Sequence, residues 1–159
     1  NAIFRRISRE LAAAPRGFTH RHSQRRNLMG KDGELAVIAR QDALQGPRQY
    51  DLVALLRDSY VELDRPFVEK MLDRYVDTFQ SLTGARIDKV EFKAFFDLLT
   101  VQRKLKDAGR FEFINRVKGN PSFLVSIPAS LRYVKDAFDR RSDLSDLREI
   151  VAQYVPELR

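Results

Sequence analysis

Between Asp64 and Gly84 the chain carries its most restrictive pattern. Phe67, Val68, Met71, Leu72, Tyr75, Val76, Phe79 and Leu82 recur at the spacing that an α-helix, and not a strand, gathers on one face. Asp64 stands where an N-terminal cap belongs, Pro66 falls in the first turn, and Gly84 supplies a C-terminal stop. A second signature follows at once. Asp88 and Glu91 form an Asp-x-x-Glu pair of capping-box type, and Val90, Phe92, Phe95, Phe96, Leu98, Leu99 and Leu105 carry a long helix to about Asp107, where Gly109 is expected to break it. A chain holding two such helices side by side is mainly α.

The rest of the sequence fits that frame. Ile3, Phe4, Ile7 and Leu11 give residues 2–13 one apolar face, with Arg5, Arg6 and Arg9 opposite, and Pro15 and Gly17 end the segment. Leu28-Met29 and Leu35 to Ile38 flank Lys31-Asp32-Gly33, which predicts a short β-hairpin. Residues 40–49, containing Gly46-Pro47, read as a loop, and an apolar buried helix covers about Tyr50 to Ser59. Phe111, Phe113 and Ile114 are expected as core contacts near a bend, followed by a turn at Gly119-Asn120-Pro121. Pro128 opens a helix with Leu131, Val134 and Phe138 inward, and a last helix covers about Ser145 to Tyr154. With no repeat and no linker, residues 1–159 are expected as a single domain with most of the eleven phenylalanines inside.

Composition excludes several classes. No apolar run approaches the roughly 20 residues that a membrane helix needs, no signal peptide opens the chain, and the absence of cysteine removes disulfides and thiolate metal sites. The expected partners therefore include no membrane, and the default location is cytoplasmic. Because the first residue is Asn1 rather than Met, the chain reads either as a fragment or as a chain lacking its first residues. Residues 1–49 hold ten Lys/Arg against four Asp/Glu, whereas the remaining residues hold nineteen against eighteen. The positive charge therefore gathers near the N-terminus, where it either forms a solvated face or attracts an anion. Arg16, Arg21, Arg25, Arg26 and Arg40 could serve a nucleic acid, but no nucleic-acid motif or interleaved aromatic residue accompanies them.

The stretch His20-Arg21-His22-Ser23-Gln24-Arg25-Arg26-Asn27-Leu28-Met29 is a basic polar loop running into the hairpin, and Val37-Ile38 with Gln41-Asp42-Ala43 follows it. These segments resemble aminoglycoside phosphotransferase-like kinases, in particular the bacterial branch that includes cell-wall amino-sugar kinases. Tyr50-Asp51-Leu52, Leu55-Leu56-Arg57-Asp58 and Val101-Gln102-Arg103-Lys104 extend the likeness over nearly the whole chain. The resemblance implies the helical C-terminal lobe of the protein-kinase-like fold with a short β-hairpin. The N-terminal lobe that holds ATP phosphates has no counterpart here.

Within that likeness two chemical positions differ. His22 stands at the family's catalytic Asp and Ala39 at its metal-binding Asp, while Asn27 and Asp42 match. Phosphoryl transfer needs Mg²⁺ on the phosphates and a carboxylate for the acceptor's proton. ATP and Mg²⁺ are thus implied by the family but are not expected to bind productively. His22, with His20 and Arg26 beside it, forms the candidate catalytic set, and a packed loop histidine is the plainer reading of His20. Asn27 is either a weak metal and cofactor ligand or a hairpin cap. Asp42 either faces the acceptor pocket or hydrogen-bonds within the loop, Gln102 and Arg103 either line a cleft at the acceptor site or belong to a hydrated helix face, and Asp51 is expected to hold the loop backbone. The implied acceptor is sugar-like. The implied partners are a missing N-terminal lobe or a second copy, against an exposed apolar face.

Overall fold

The structure, a computed structural model, describes residues 2–38 and 43–159. Among them lie six α-helices and four short strands: α1 (Ala2–Ala13), β1 (Arg16–Thr19), β2 (Leu28–Lys31), β3 (Glu34–Val37), β4 (Leu44–Pro47), α2 (Gln49–Leu56), α3 (Arg65–Thr83), α4 (Lys89–Lys118), α5 (Ile127–Arg140) and α6 (Ser145–Ala152). Contacts gather into two compact units, residues 17–96 and residues 1–16 with 97–159.

In the first unit, α3 begins as its capping residues dictate. The Asp64 carboxylate accepts the Phe67 N–H at 2.7 Å, and Gly84 closes the helix in a left-handed conformation (φ 71°) with its N–H on the Gln80 carbonyl. Val68, Leu72 and Val76, four residues apart, are buried. Tyr75 stacks on Phe92 of α4 at 5.5 Å between ring centroids. Lys93 bridges Glu69 and Asp73 at 2.7 and 2.8 Å, which fastens the exposed side of the same pair of helices. α2 buries Val53, Ala54 and Leu56 and ends earlier than its apolar content suggests, with Arg57 in the capping position.

The hairpin forms as its turn residues require. β2 pairs antiparallel with β3, Leu28 opposite Val37 and Lys31 opposite Glu34, around Asp32 and Gly33, both at positive φ. One expectation fails close by. Residues 44–47 lie not in a loop but in β4, which pairs with β1 to make a second two-stranded sheet. Gly46 permits this, because a Cβ there would stand 2.8 Å from the Thr19 hydroxyl oxygen.

In the second unit, Ile7 of α1, Leu98 and Val101 of α4, Leu131, Val134 and Phe138 of α5, and Leu147 of α6 share one core. Fully burying a side chain of this size contributes about 1.5–3 kcal/mol. Around the core, Arg140 embraces buried Asp97 through two hydrogen bonds, 2.9 and 2.8 Å, and also pairs with Asp136. Burial pulls the Arg140 guanidinium down, but the Asp97 and Asp136 carboxylates outweigh it and hold the group above its ordinary value. Arg6 of α1 reaches Asp146 of α6 at 2.9 Å.

Two further expectations are corrected. Gly109 does not break α4, which continues to Lys118, because a glycine is tolerated where neighbours such as Leu105 and Ala108 still pack. Nor are most phenylalanines inside. Phe92, Phe96 and Phe138 are buried, while Phe4, Phe18, Phe67 and Phe113 are exposed. No helix among the described residues is long and apolar enough to cross a membrane.

Candidate functional site

The basic loop leaves β1 at Thr19 and enters the hairpin at Leu28. Its path departs sharply from extended backbone at Arg21, one of two non-glycine described residues at positive φ (71°). That geometry costs roughly 1–2 kcal/mol for an L-residue, so something must hold it. Asp51, in the first turn of α2, does so. One carboxylate oxygen accepts the His20 N–H at 2.6 Å and the other accepts the Arg21 N–H at 2.9 Å. Charge-assisted bonds of this length are among the stronger ones a backbone can make.

The second half of the loop is tied internally. His22's carbonyl accepts the Gln24 N–H and the Asn27 side-chain N–H, both at 2.8 Å, and residues 25–27 close a short 3-10 turn. The Asn27 carbonyl then accepts the Ile38 N–H at 2.9 Å, which joins the loop to the end of β3. Asn27 thus spends a side-chain N–H on the loop, which leaves its side-chain oxygen as the atom that could serve a ligand.

His20 is buried, and neither ring nitrogen has a hydrogen-bond partner among the described residues. His22 is half-buried. Arg26 is exposed, and its guanidinium lies over the Tyr60 ring, 4.3 Å from the centroid. Tyr60 is itself placed by Asp58, whose carboxylate accepts the Tyr60 N–H at 2.9 Å. In the same unit, Arg48 stacks on Phe79 at 4.4 Å. The Tyr75 hydroxyl is pushed up by burial, an effect that Arg48 opposes and Asp51 reinforces.

The first unit therefore brings His20, His22, Arg26, Asn27 and Asp51 together. Gln102 and Arg103 belong to the other unit, where Gln102 is exposed and Arg103 half-buried on α4. Ala39, Arg40 and Asp42 lie outside the described residues. Tyr60 was not a sequence candidate, since no local pattern signals that a residue 34 positions after Arg26 will support its guanidinium.

The donor set does not suit Mg²⁺. The ion prefers oxygen ligands in octahedral array and is usually held through carboxylates. The loop offers the imidazoles of His20 and His22 and the neutral amide oxygens of Gln24 and Asn27, and no described group of three or more His, Cys, Asp or Glu side chains gathers there.

Comparison with known proteins places the chain. No family model matches it. Three curated proteins named N-acetylmuramate/N-acetylglucosamine kinase do. The chain is 37% identical to the one from Pseudomonas aeruginosa over 150 residues, 92% of this chain and 44% of that protein. It is 35% identical to the one from Neisseria meningitidis serogroup B over 91% of this chain and 44% of that protein, and 34% identical to the one from Pseudomonas putida over 96% and 46%. The six helices and small hairpin are those of a helical lobe of a kinase-like fold. The chain is a relative of cell-wall amino-sugar kinases, and it spans less than half the length of the curated relatives it matches.

Proposed function

We propose that the chain is the acceptor-side lobe of an amino-sugar phosphotransferase that, with its present residues, does not turn over. Its lineage reaction is transfer of the ATP γ-phosphoryl group to a hydroxyl of an N-acetylated amino sugar. The observation that carries this reading is a loop firmly held by its own hydrogen bonds that lacks the carboxylates of the lineage reaction. Asp51 grips the backbone at His20 and Arg21, Asn27 closes the turn, and His22 and Ala39 occupy the two positions where the reaction needs carboxylates. Loss of a general base alone costs about 10²–10⁴ in rate, or roughly 3–5 kcal/mol of barrier. The donor set argued above gives no productive Mg²⁺ site to offset that.

The ATP-holding lobe would come from residues beyond this chain or from a partner. One face of the hairpin offers an apolar landing surface for it, with Leu35 69% and Val37 49% exposed on the same side. A second reading, as a binding module for an anionic macromolecule, draws on exposed Arg25 and Arg26. It predicts affinity for oligonucleotides that falls steeply with salt.

Thermal melting with and without ATP and Mg²⁺ tests the reading, using the native chain and a double variant, His22→Asp with Ala39→Asp. Ligand that binds only the folded state raises the melting temperature. The expected result is no shift in the native chain and a metal-dependent shift in the variant. A metal-dependent shift in the native chain would show that the substitutions left the nucleotide site working, and the proposal would fall.

A further inference from the structure

Arg26 is the feature of the loop that its architecture does not use. Among the described residues its guanidinium makes no hydrogen bond and no ion pair, and its one contact is the face of Tyr60 at 4.3 Å. Stacking removes much of the freedom of a long side chain while leaving its N–H donors at the ring's edge unspent. Tyr60 cannot drift readily either, because the Asp58 carboxylate pins its backbone. The group stands one residue before Asn27 and four after His22, in the loop where the lineage chemistry takes place, and in the part of the chain that carries the excess positive charge. A planar fork of unpaired donors, held in place and electrostatically favoured, matches a planar or tetrahedral oxyanion.

We infer that Arg26, supported by Tyr60, recognises the carboxylate of an acidic amino sugar and so distinguishes a carboxylated acceptor from its neutral counterpart. The inference rests on the reading of the chain as an amino-sugar phosphotransferase lobe. The same donor geometry would also accept a phosphate group of a nucleotide, and the experiment separates the two sources. N-acetylmuramate and N-acetylglucosamine are suitable probes because they differ by a lactyl ether that bears the carboxylate.

Binding of N-acetylmuramate, N-acetylglucosamine and inorganic triphosphate is measured by ligand-observed NMR on the native chain, on Arg26→Gln and on Tyr60→Leu. Because Arg26 is exposed, Arg26→Gln keeps the fold, which far-UV circular dichroism checks. The native chain should prefer the carboxylated sugar about tenfold, the usual scale of a charge-assisted bond at a partly hydrated site. Arg26→Gln should reduce that preference to about twofold or less, and Tyr60→Leu should give an intermediate value because the guanidinium stays but loses its support. Equal affinity for the two sugars in the native chain, or a preference that survives Arg26→Gln, overturns the inference and leaves the phosphotransferase reading standing. Loss of triphosphate binding in Arg26→Gln with the sugar preference intact reassigns the group to phosphate, which also overturns it. Absence of binding to either sugar removes the underlying reading, and the inference with it.

Discussion

Asp51→Ala should destabilise the fold by about 2–4 kcal/mol, a figure that follows from the loop geometry. The substitution removes an acceptor from two backbone N–H groups, at 2.6 Å from His20 and 2.9 Å from Arg21. Hydrogen bonds to a charged group are worth about 1.5–3 kcal/mol each. They do not simply add here. Arg21 is exposed, so water can replace part of what its N–H loses, and release of its left-handed backbone recovers roughly 1–2 kcal/mol. His20 is buried, so its N–H bears most of the desolvation cost. Asp51→Asn keeps one carbonyl acceptor and should lose about half as much. Urea unfolding followed by far-UV circular dichroism reads both values, and a loss of 2–4 kcal/mol corresponds to a lower melting temperature by about 5–15 °C for a chain of this size. Amide exchange at His20 and Arg21 should accelerate in the same variants. An Asp51→Ala variant within about 0.5 kcal/mol of the native chain would refute the argument, since surface substitutions away from special features stay inside that range.

Gly109→Ala should stabilise the chain by about 0.5–1 kcal/mol, because α4 runs through this exposed position and an added Cβ meets nothing within 4 Å. A higher urea midpoint with unchanged slope checks it. Asp143 is held below its ordinary value of 3.8, mainly by its hydrogen bonds from Arg141, with burial opposing and the Arg141 charge reinforcing them. A depressed carboxyl contributes stability above its unfolded value and loses that contribution as pH falls through the folded one, so the window lies below 3.8. Carboxyl-carbon NMR titration should therefore show Asp143 moving back up toward 3.8 in Arg141→Gln.

A feature of this fold is legible in the sequence where the deciding contact is local. The limits of α3 were legible because Asp64 and Gly84 act within one helical turn of themselves. The hairpin was legible from Asp32-Gly33 for the same reason. β4 was not, since Gly46-Pro47 resembles a turn until Thr19, 27 residues earlier, is found close against it. Gly109 resembles a helix stop in the sequence, because the packing that carries α4 past it is not visible locally. The exposed phenylalanines misled because hydrophobicity states a preference for burial but not whether a covering surface exists. In the candidate site, the residue types came from the sequence and from family likeness, whereas the pairing of Arg26 with Tyr60 needed the fold to bring distant residues together.

The two-stranded hairpin is also a weakly supported part of this chain. Its residues are almost all exposed on both faces, so little apolar contact holds it beyond its own ladder, and an isolated ladder of that size is marginal in water. The Ile38–Asn27 bond joins it to the loop, so each fraying of the strands loosens one end of the turn that carries His22 and Arg26. The Asp51 grip anchors only the other end, at His20 and Arg21. Breathing of the hairpin therefore becomes breathing of the loop, and the candidate site shares the lifetime of the least protected strands rather than that of the buried helices.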